Sequence, residues 1–454
     1  MGSRFYDAPI DDYLPQNGNR GYRVSRYELD LNYKVASNRL AGRAVITAVT
    51  TAERPRFSLD LSQALPVSKV LVNGSKSVKY THQRGKLTVT PRERIPAGGI
   101  LQLVVQYAGA PKPVRGPWGE VGWEELTEGS LVASQPNGAA SWFPCDDHPS
   151  SKASYRISIT TDTPYYTLAN GELVGKQTKA GQTTWVYEQT EPMASYLATV
   201  QIGRYRRHQL TDRNAPVPIH AVLPTSLRAA FDHDFARQPE MMAVFSDLFG
   251  PYPFQSYSVV VTEDELEIPI EAQGISVFGA NHCDGRRGAE RLVAHELAHQ
   301  WFGNSLTIQH WCDIWLHEGF ACYAEWIWSE AAHGPTADQL ARATWHTLHR
   351  EPQNIVIGDP GPTLMFDDRV YKRGALTLHT LRLELGDTAF FRLIRDWTAR
   401  HRHASVSTEE FTDLVGHYSV TPMQPLWQDW LYSEPLPPLP PIGGNARHWG
   451  QNTR

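Results

Sequence analysis

His295 and His299 stand four residues apart in Val293-Ala-His-Glu-Leu-Ala-His-Gln-Trp-Phe302, with Glu296 between them. On a helix of ~3.6 residues per turn, positions four apart project from one face, one turn from each other. Two neutral imidazoles so placed can close on a single tetrahedral ion. Glu296 then lies beside the pair, able to take a proton from water without ligating the ion. A third ligand is needed, and Glu318 supplies a candidate in Trp311-Cys-Asp-Ile-Trp-Leu-His-Glu-Gly-Phe320, nineteen positions after His299. A helix, a turn and a second, antiparallel helix would bring it back to the first. Two histidines and one glutamate leave the fourth position open to water or a carbonyl, which is the ligand pattern of catalytic zinc. One Zn2+ per chain is expected. Glu325, two turns beyond Glu318, is a candidate to support a ligand from behind or a solvated surface carboxylate.

The elements that must carry these groups are legible as a change of period. From about Tyr22 to Arg206 the apolar residues alternate, as in Tyr27, Leu29, Leu31 and Tyr33, which predicts strands with one buried face. Val70-Leu-Val72 runs into Asn73-Gly74, which predicts a hairpin returning through Val78 and Tyr80. Near residue 225 the pattern becomes helical. Phe231 to Phe249 suits a helix or helix pair with a kink or break at Pro239, and Tyr257 to Thr262 reads as a strand ahead of an acidic loop. Long helical patterns occupy 288–302, 314–332, 335–350 and 371–400, and Ser407-Thr-Glu-Glu410 is a capping box. Asn304 reads as a cap at the end of the metal helix. A β-rich segment followed by a helical one predicts a multidomain α+β chain, divided as 1–206, 207–434 and a proline-rich tail, 435–454. The tail is expected to be weakly ordered from Gly443 onward.

Composition narrows the class. The 454 residues are too many for one ordinary core, and 43 basic against 48 acidic residues leave a net charge of −5 with no basic block. Nucleic-acid binding is therefore not expected. No apolar run reaches the ~20 residues of a membrane helix, and the first twenty residues lack a signal-peptide core, so a soluble cytoplasmic protein with no membrane partner is expected. Cys145, Cys283, Cys312 and Cys322 form no CxxC pair and read as reduced, mostly buried thiols.

With Phe143-Pro-Cys-Asp-Asp-His-Pro149 and Phe249-Gly-Pro-Tyr-Pro-Phe254, the two metal segments resemble the M1 zinc aminopeptidases over about residues 20–432. These gluzincins release single residues from peptide N-termini. The resemblance is to the short bacterial type that lacks a helical C-terminal domain. It implies an N-terminal antiparallel β saddle followed by a thermolysin-like, mainly helical catalytic domain. It also implies further roles: Glu271 in Ile268-Pro-Ile-Glu-Ala272 would accept the substrate α-ammonium, Tyr371 in Tyr371-Lys-Arg-Gly-Ala375 would donate to the oxyanion, and Gln135 would line the subsite for the first residue. Peptides with a free N-terminus are the implied partners, and a monomer is expected.

The departures from the family pattern carry expectations too. Ile268, Pro269, Ile270 and Ala272 replace the usual glycine, variable residue, methionine and asparagine around Glu271, and Pro269 has no N–H to offer a substrate. Asn137 stands where many members have a second amine-binding glutamate, so N-terminal selectivity is expected to be weaker but present. His317 replaces an asparagine and is assigned to packing or ligand support. The short chain implies an open cleft that accepts long peptides beside dipeptides. Other readings on the same scaffold are an epoxide hydrolase, an endopeptidase and a non-catalytic peptide-binding protein.

Overall fold

The computed structural model describes residues 10–76, 78–210 and 215–441. The weakly ordered end expected from Gly443 lies outside the described residues. The chain forms two compact units, Met1–Gly203 and Arg204–Arg454.

The first unit is built on a seven-stranded sheet ordered Glu172–Lys179, Gln182–Ala194, Lys152–Asp162, Tyr22–Lys34, Arg39–Thr50, Ile100–Gly109, Val67–Val72. Its pairings are antiparallel except one. Tyr22–Lys34 runs parallel to Lys152–Asp162, with Tyr27 opposite Tyr155. Alternation delivers the core as expected: Tyr27, Leu29, Leu31 and Tyr33 are all buried. Tyr27 stacks on Tyr155 and meets Phe143 edge-on, so the Phe143–Pro149 motif begins inside an aromatic cluster. A five-stranded and a three-stranded sheet complete the unit.

One local expectation fails. Asn73 and Gly74 do adopt positive φ, as a tight turn requires. Yet Val67–Val72 pairs with Ile100–Gly109, and Lys79–Gln83 pairs instead with Lys86–Thr90 in another sheet. The turn at Arg84 and Gly85, also at positive φ, makes that second hairpin. Turn chemistry specifies a reversal of the chain; it does not specify which strand receives the returning edge.

The second unit carries a mixed sheet ordered Arg206–Leu210, Ile219–Leu223, Tyr257–Val261, Ile275–Phe278, Ile270–Ala272. Strand Tyr257–Val261 is fully buried, and both its pairings are parallel, which suits an unbroken apolar run. Strand Ile270–Ala272 lies at the edge, antiparallel to its neighbour. The helices are α1 (Arg228–Asp234), α2 (Gln238–Phe249), α3 (Glu290–Ala298), α4 (Trp315–Ala331), α5 (Ala337–Leu348), α6 (Asp368–Leu385), α7 (Asp387–Arg400), α8 (Thr408–Gly416) and α9 (Gln424–Leu431). Among the described residues none is long and apolar enough to cross a membrane.

Helix boundaries differ from the periodicity where backbone chemistry intervenes. Pro239 sits in the first turn of α2, where its missing N–H costs nothing, so the break falls before it. The pattern over 371–400 is two helices, because Gly386 at φ 75° ends α6. The capping box is present: Ser407 N donates to Glu410 Oε2 at 2.9 Å, and Glu410 N donates to Ser407 Oγ at 3.3 Å. The pattern at 288–302 overruns α3, which stops at Ala298 with His299 as its C-cap.

Two features bring α4 and α6 together. Gly319 and Gly374 face each other so closely that a Cβ built on either would lie 2.8–2.9 Å from the other's Cα. The helices therefore cross backbone to backbone, one residue after Glu318 and three after Tyr371. Arg373, 2 % exposed, donates to the main-chain oxygens of Asp429, Trp430 and Glu434, each at 2.8 Å. A buried cation at the carbonyl end of α9 is held by its dipole and free acceptors. Burial lowers Arg373 to about 10, which leaves it charged at neutral pH. The proline-rich segment that follows is docked, with Trp345 Nε1 donating to Pro437 O at 2.7 Å.

Added volume at the glycine crossing must force the helices apart. Gly374→Ala is expected to cost about 1–3 kcal/mol through overpacking, read as a lower urea midpoint. An unchanged midpoint would mean that the crossing is not close-packed.

Candidate metal centre

The site grows from α3, α4 and α6. His295 projects from α3, His299 from its C-cap and Glu318 from the first turn of α4. All three are buried. His295 Nε2 and His299 Nε2 each lie 3.4 Å from Glu318 Oε2. Their ligand atoms are mutually within 4.8 Å and could hold a metal ion.

The protons on the two rings decide what this cluster needs. His295 Nδ1 lies 2.8 Å from Glu325 Oε1, and His299 Nδ1 lies 3.0 Å from Phe302 O. Both partners are acceptors, so each Nδ1 carries the hydrogen and each neutral ring turns a bare Nε2 lone pair inward. Two lone pairs and a carboxylate then face one another in a buried space, which is repulsive unless positive charge lies between them. Ligands at ~2.0–2.1 Å from one tetrahedral ion stand roughly 3.3 Å apart, which matches the spacing found. The donor set fits zinc.

The same demand for charge appears in the titration of the unmetallated groups. Burial lowers both imidazoles, but the carboxylates outweigh it. Glu318 and Glu325 leave His295 at about 10, and Glu318 with Glu271 leaves His299 at about 9. Glu318 falls well below the usual carboxylate range, since both histidines overcome its burial.

Local sequence explains why the rings sit so. Gly303, at φ 130°, turns the chain back, and a Cβ there would meet His299 Nδ1 at 3.2 Å. That turn presents the Phe302 carbonyl to His299. His317 is buried and its Nε2 accepts the Ile308 N–H at 3.0 Å, anchoring the strand that precedes α4. Glu325, left between two roles by its spacing, is buried behind His295 and accepts from its Nδ1.

Glu296 is 4 % exposed, and its Oε2 finds no hydrogen-bond partner among the described residues. Burial pushes its carboxyl up to about 8, with His295 opposing and Glu271 adding. The phenol of Tyr371 stacks its ring on that of His295 at 6.2 Å between centroids. Burial, then Glu318, Glu271 and Glu296, hold its hydroxyl well above the ordinary value, so it keeps its proton. Glu271 lies on the edge strand. Its carboxyl is raised by burial and by Glu318 against the pull of His299, so it shares the field of the His295, His299 and Glu318 cluster.

Asn304 does something other than cap the helix by its side chain. Its Nδ2 donates to Ala272 O at 3.1 Å, and Gln300 joins it: Nε2 to Ala272 O at 3.2 Å, and Gly274 N to Oε1 at 2.7 Å. Both side chains are fully buried. They tie the residues just after His299 to the strand that carries Glu271. No spacing in the sequence announces this, because the partner is a main-chain carbonyl about thirty residues away. Gln135 belongs to the first unit, in the segment after strand Gly129–Ala133, and its Nε2 is buried without a hydrogen-bond partner among the described residues. The four cysteines form no disulfide.

Comparison with known proteins gives this geometry a lineage. Residues 24–197 match the peptidase M1 N-terminal domain, and residues 234–430 match the peptidase family M1 domain. The chain is 28 % identical to human endoplasmic reticulum aminopeptidase 1, over 80 % of this chain and 42 % of that protein. It is 23 % identical to leucyl aminopeptidase of Saccharolobus solfataricus, over 90 % of this chain and 53 % of the relative. It thus spans about half the length of these curated relatives. The M1 zinc metallopeptidase of Deinococcus radiodurans, a solved structure, superposes with a TM-score of 0.88 at 29 % identity, covering 96 % of this chain and 99 % of the other. Both halves of the chain match the same lineage in order, and the second carries the converging His295, His299 and Glu318; the chain belongs to peptidase family M1.

Proposed function

We propose that this protein is a zinc-dependent aminopeptidase that removes N-terminal residues from peptides, with His295, His299 and Glu318 holding one zinc ion. The observation that carries the reading is the approach of two Nε2 lone pairs to one Glu318 oxygen at 3.4 Å, beside a buried Glu296 oxygen with no partner. A structure of the Deinococcus radiodurans metallopeptidase, 28 % identical, contains a Tyr-Ser-Ala substrate, which supports short peptides as the substrate class here.

When bound, zinc supplies a Lewis acid that polarises the scissile carbonyl and acidifies water. The chain's own groups do the rest. Glu296, next to the ligands, takes the proton of the attacking water and passes it to the leaving amine. Burial raises its carboxyl in the metal-free site, and the positive charge of a bound ion beside it would lower it again, leaving the carboxylate free to accept a proton. Tyr371 keeps its phenolic proton and donates a hydrogen bond to the oxyanion. Glu271 accepts the α-ammonium of the substrate, which sets the distance from chain end to reacting carbonyl and makes the cleavage exopeptidic. The family pattern implies that Gln135 would line the subsite for the first side chain.

The Glu296→Gln variant keeps the shape but cannot accept a proton. It should retain zinc and lose about 10²–10⁴-fold in kcat on aminoacyl fluorophores. The wild type should cleave free-amine peptides and spare their N-acetylated forms; equal rates on both would turn the reading to an endopeptidase. Both imidazoles are raised above their ordinary value in the metal-free site, so zinc must displace protons below pH 9. Calorimetry at pH 7 in buffers of different ionisation enthalpy should therefore show release of about two protons per zinc. Apparent affinity should rise with pH towards 9–10. No release would overturn the charge argument.

A further inference from the structure

Helices α3 and α4 are joined by a seam of polar contacts: Trp328 Nε1 to Glu290 Oε1 at 2.9 Å, Arg291 to Glu325, and His295 to Glu325. Arg291 has no part in the reaction described above. Its Nη1 lies 3.0 Å from both carboxylate oxygens of Glu325, one of which also accepts His295 Nδ1–H at 2.8 Å. Arg291 and His295 are one turn apart on α3, so Glu325 reaches across from α4 and bridges them.

The two histidines are held by different means. His299 leans on a main-chain carbonyl that the turn at Gly303 keeps in place. His295 leans on a carboxylate at the end of a rotatable side chain. That carboxylate is only 2 % exposed, whereas the Arg291 side chain is 57 % exposed. An anion so buried needs its lone pairs filled, and a guanidinium reaching in from the surface fills them in a fixed direction. Lys372, with Nζ 3.5 Å from Cys322 Sγ, adds positive charge near Glu325.

We propose that Arg291 is a positioning residue for the metal site: it holds Glu325 in the orientation that accepts from His295 Nδ1, and so aims His295 Nε2 at the ion. The inference rests on the zinc reading above and goes beyond it, since that reading gives Arg291 no role. Supports of this kind matter because a ligand ring free to swing forfeits metal affinity, on the order of tenfold to a hundredfold.

The test uses the full chain as wild type, Arg291→Met and Arg291→Lys, with His295→Ala as the control for a lost ligand. Zinc affinity is measured by competition with a chromophoric chelator, and the thermal midpoint of each metal-free protein is measured alongside. Arg291→Met should bind zinc on the order of tenfold more weakly, and Arg291→Lys should keep a larger share of the affinity. The metal-free midpoint of Arg291→Met should fall by no more than about 4 °C, because His295 Nδ1–H and Lys372 still face the buried Glu325 carboxylate. Wild-type affinity in Arg291→Met overturns the proposal alone. So does a loss of affinity accompanied by a comparable loss of metal-free stability, which would mark a merely structural role. A wild type that binds no zinc overturns the metal reading and this inference together.

Discussion

Two imidazole lone pairs and a carboxylate, all buried and all facing one another, cannot rest together without a positive charge between them. In this protein that charge problem is posed by His295, His299 and Glu318. Each ring is fixed by a hydrogen bond on its far side, one to Glu325 and one to the Phe302 carbonyl, so neither can turn its lone pair away. Protons can meet the demand, which is why both histidines are so basic without metal. A divalent ion meets it better, because one centre serves all three groups.

Holding that arrangement requires precision from elements that do not take part. The glycine-to-glycine crossing of α4 and α6 brings the helix carrying Glu318 against the helix carrying Tyr371. Arg373 fastens α6 to the carbonyl end of α9, using a buried charge whose partners are all main-chain oxygens. Gln300 and Asn304 fasten the end of the metal helix to the strand of Glu271. Each device joins segments far apart in the chain, and each lies within a few residues of a group to which the proposed reaction gives a task.

The convergence of His295, His299 and Glu318 was largely legible in the chain because its logic is local. Histidines four apart on a helix must share a face, and a glutamate between them must stand beside that face. The β segment was legible for a similar reason, since alternation at Tyr27 to Tyr33 maps directly onto burial. Where the reading missed, the cause was the absence of a local signal. The Asn73-Gly74 turn formed, but its following strand joined another sheet. Helix α3 ended early, since His299 caps it and Gly303 turns the chain. Asn304 does close the helix end with its backbone N–H on His299 O, but its side chain is a tie that position alone did not announce.

By itself, then, the sequence determined the kinds of chemical group present, their order, and the faces on which short-range periodicity puts them. Those follow from the fixed repeats of helix and strand, which involve only neighbours along the chain. Tertiary structure alone decided that Glu325 stands behind His295, that Arg291 stands behind Glu325, and that two glycines let α4 and α6 touch. Such facts depend on distances between segments separated by tens of residues. No repeat links those segments; only the packing of the whole core brings them to hydrogen-bonding range.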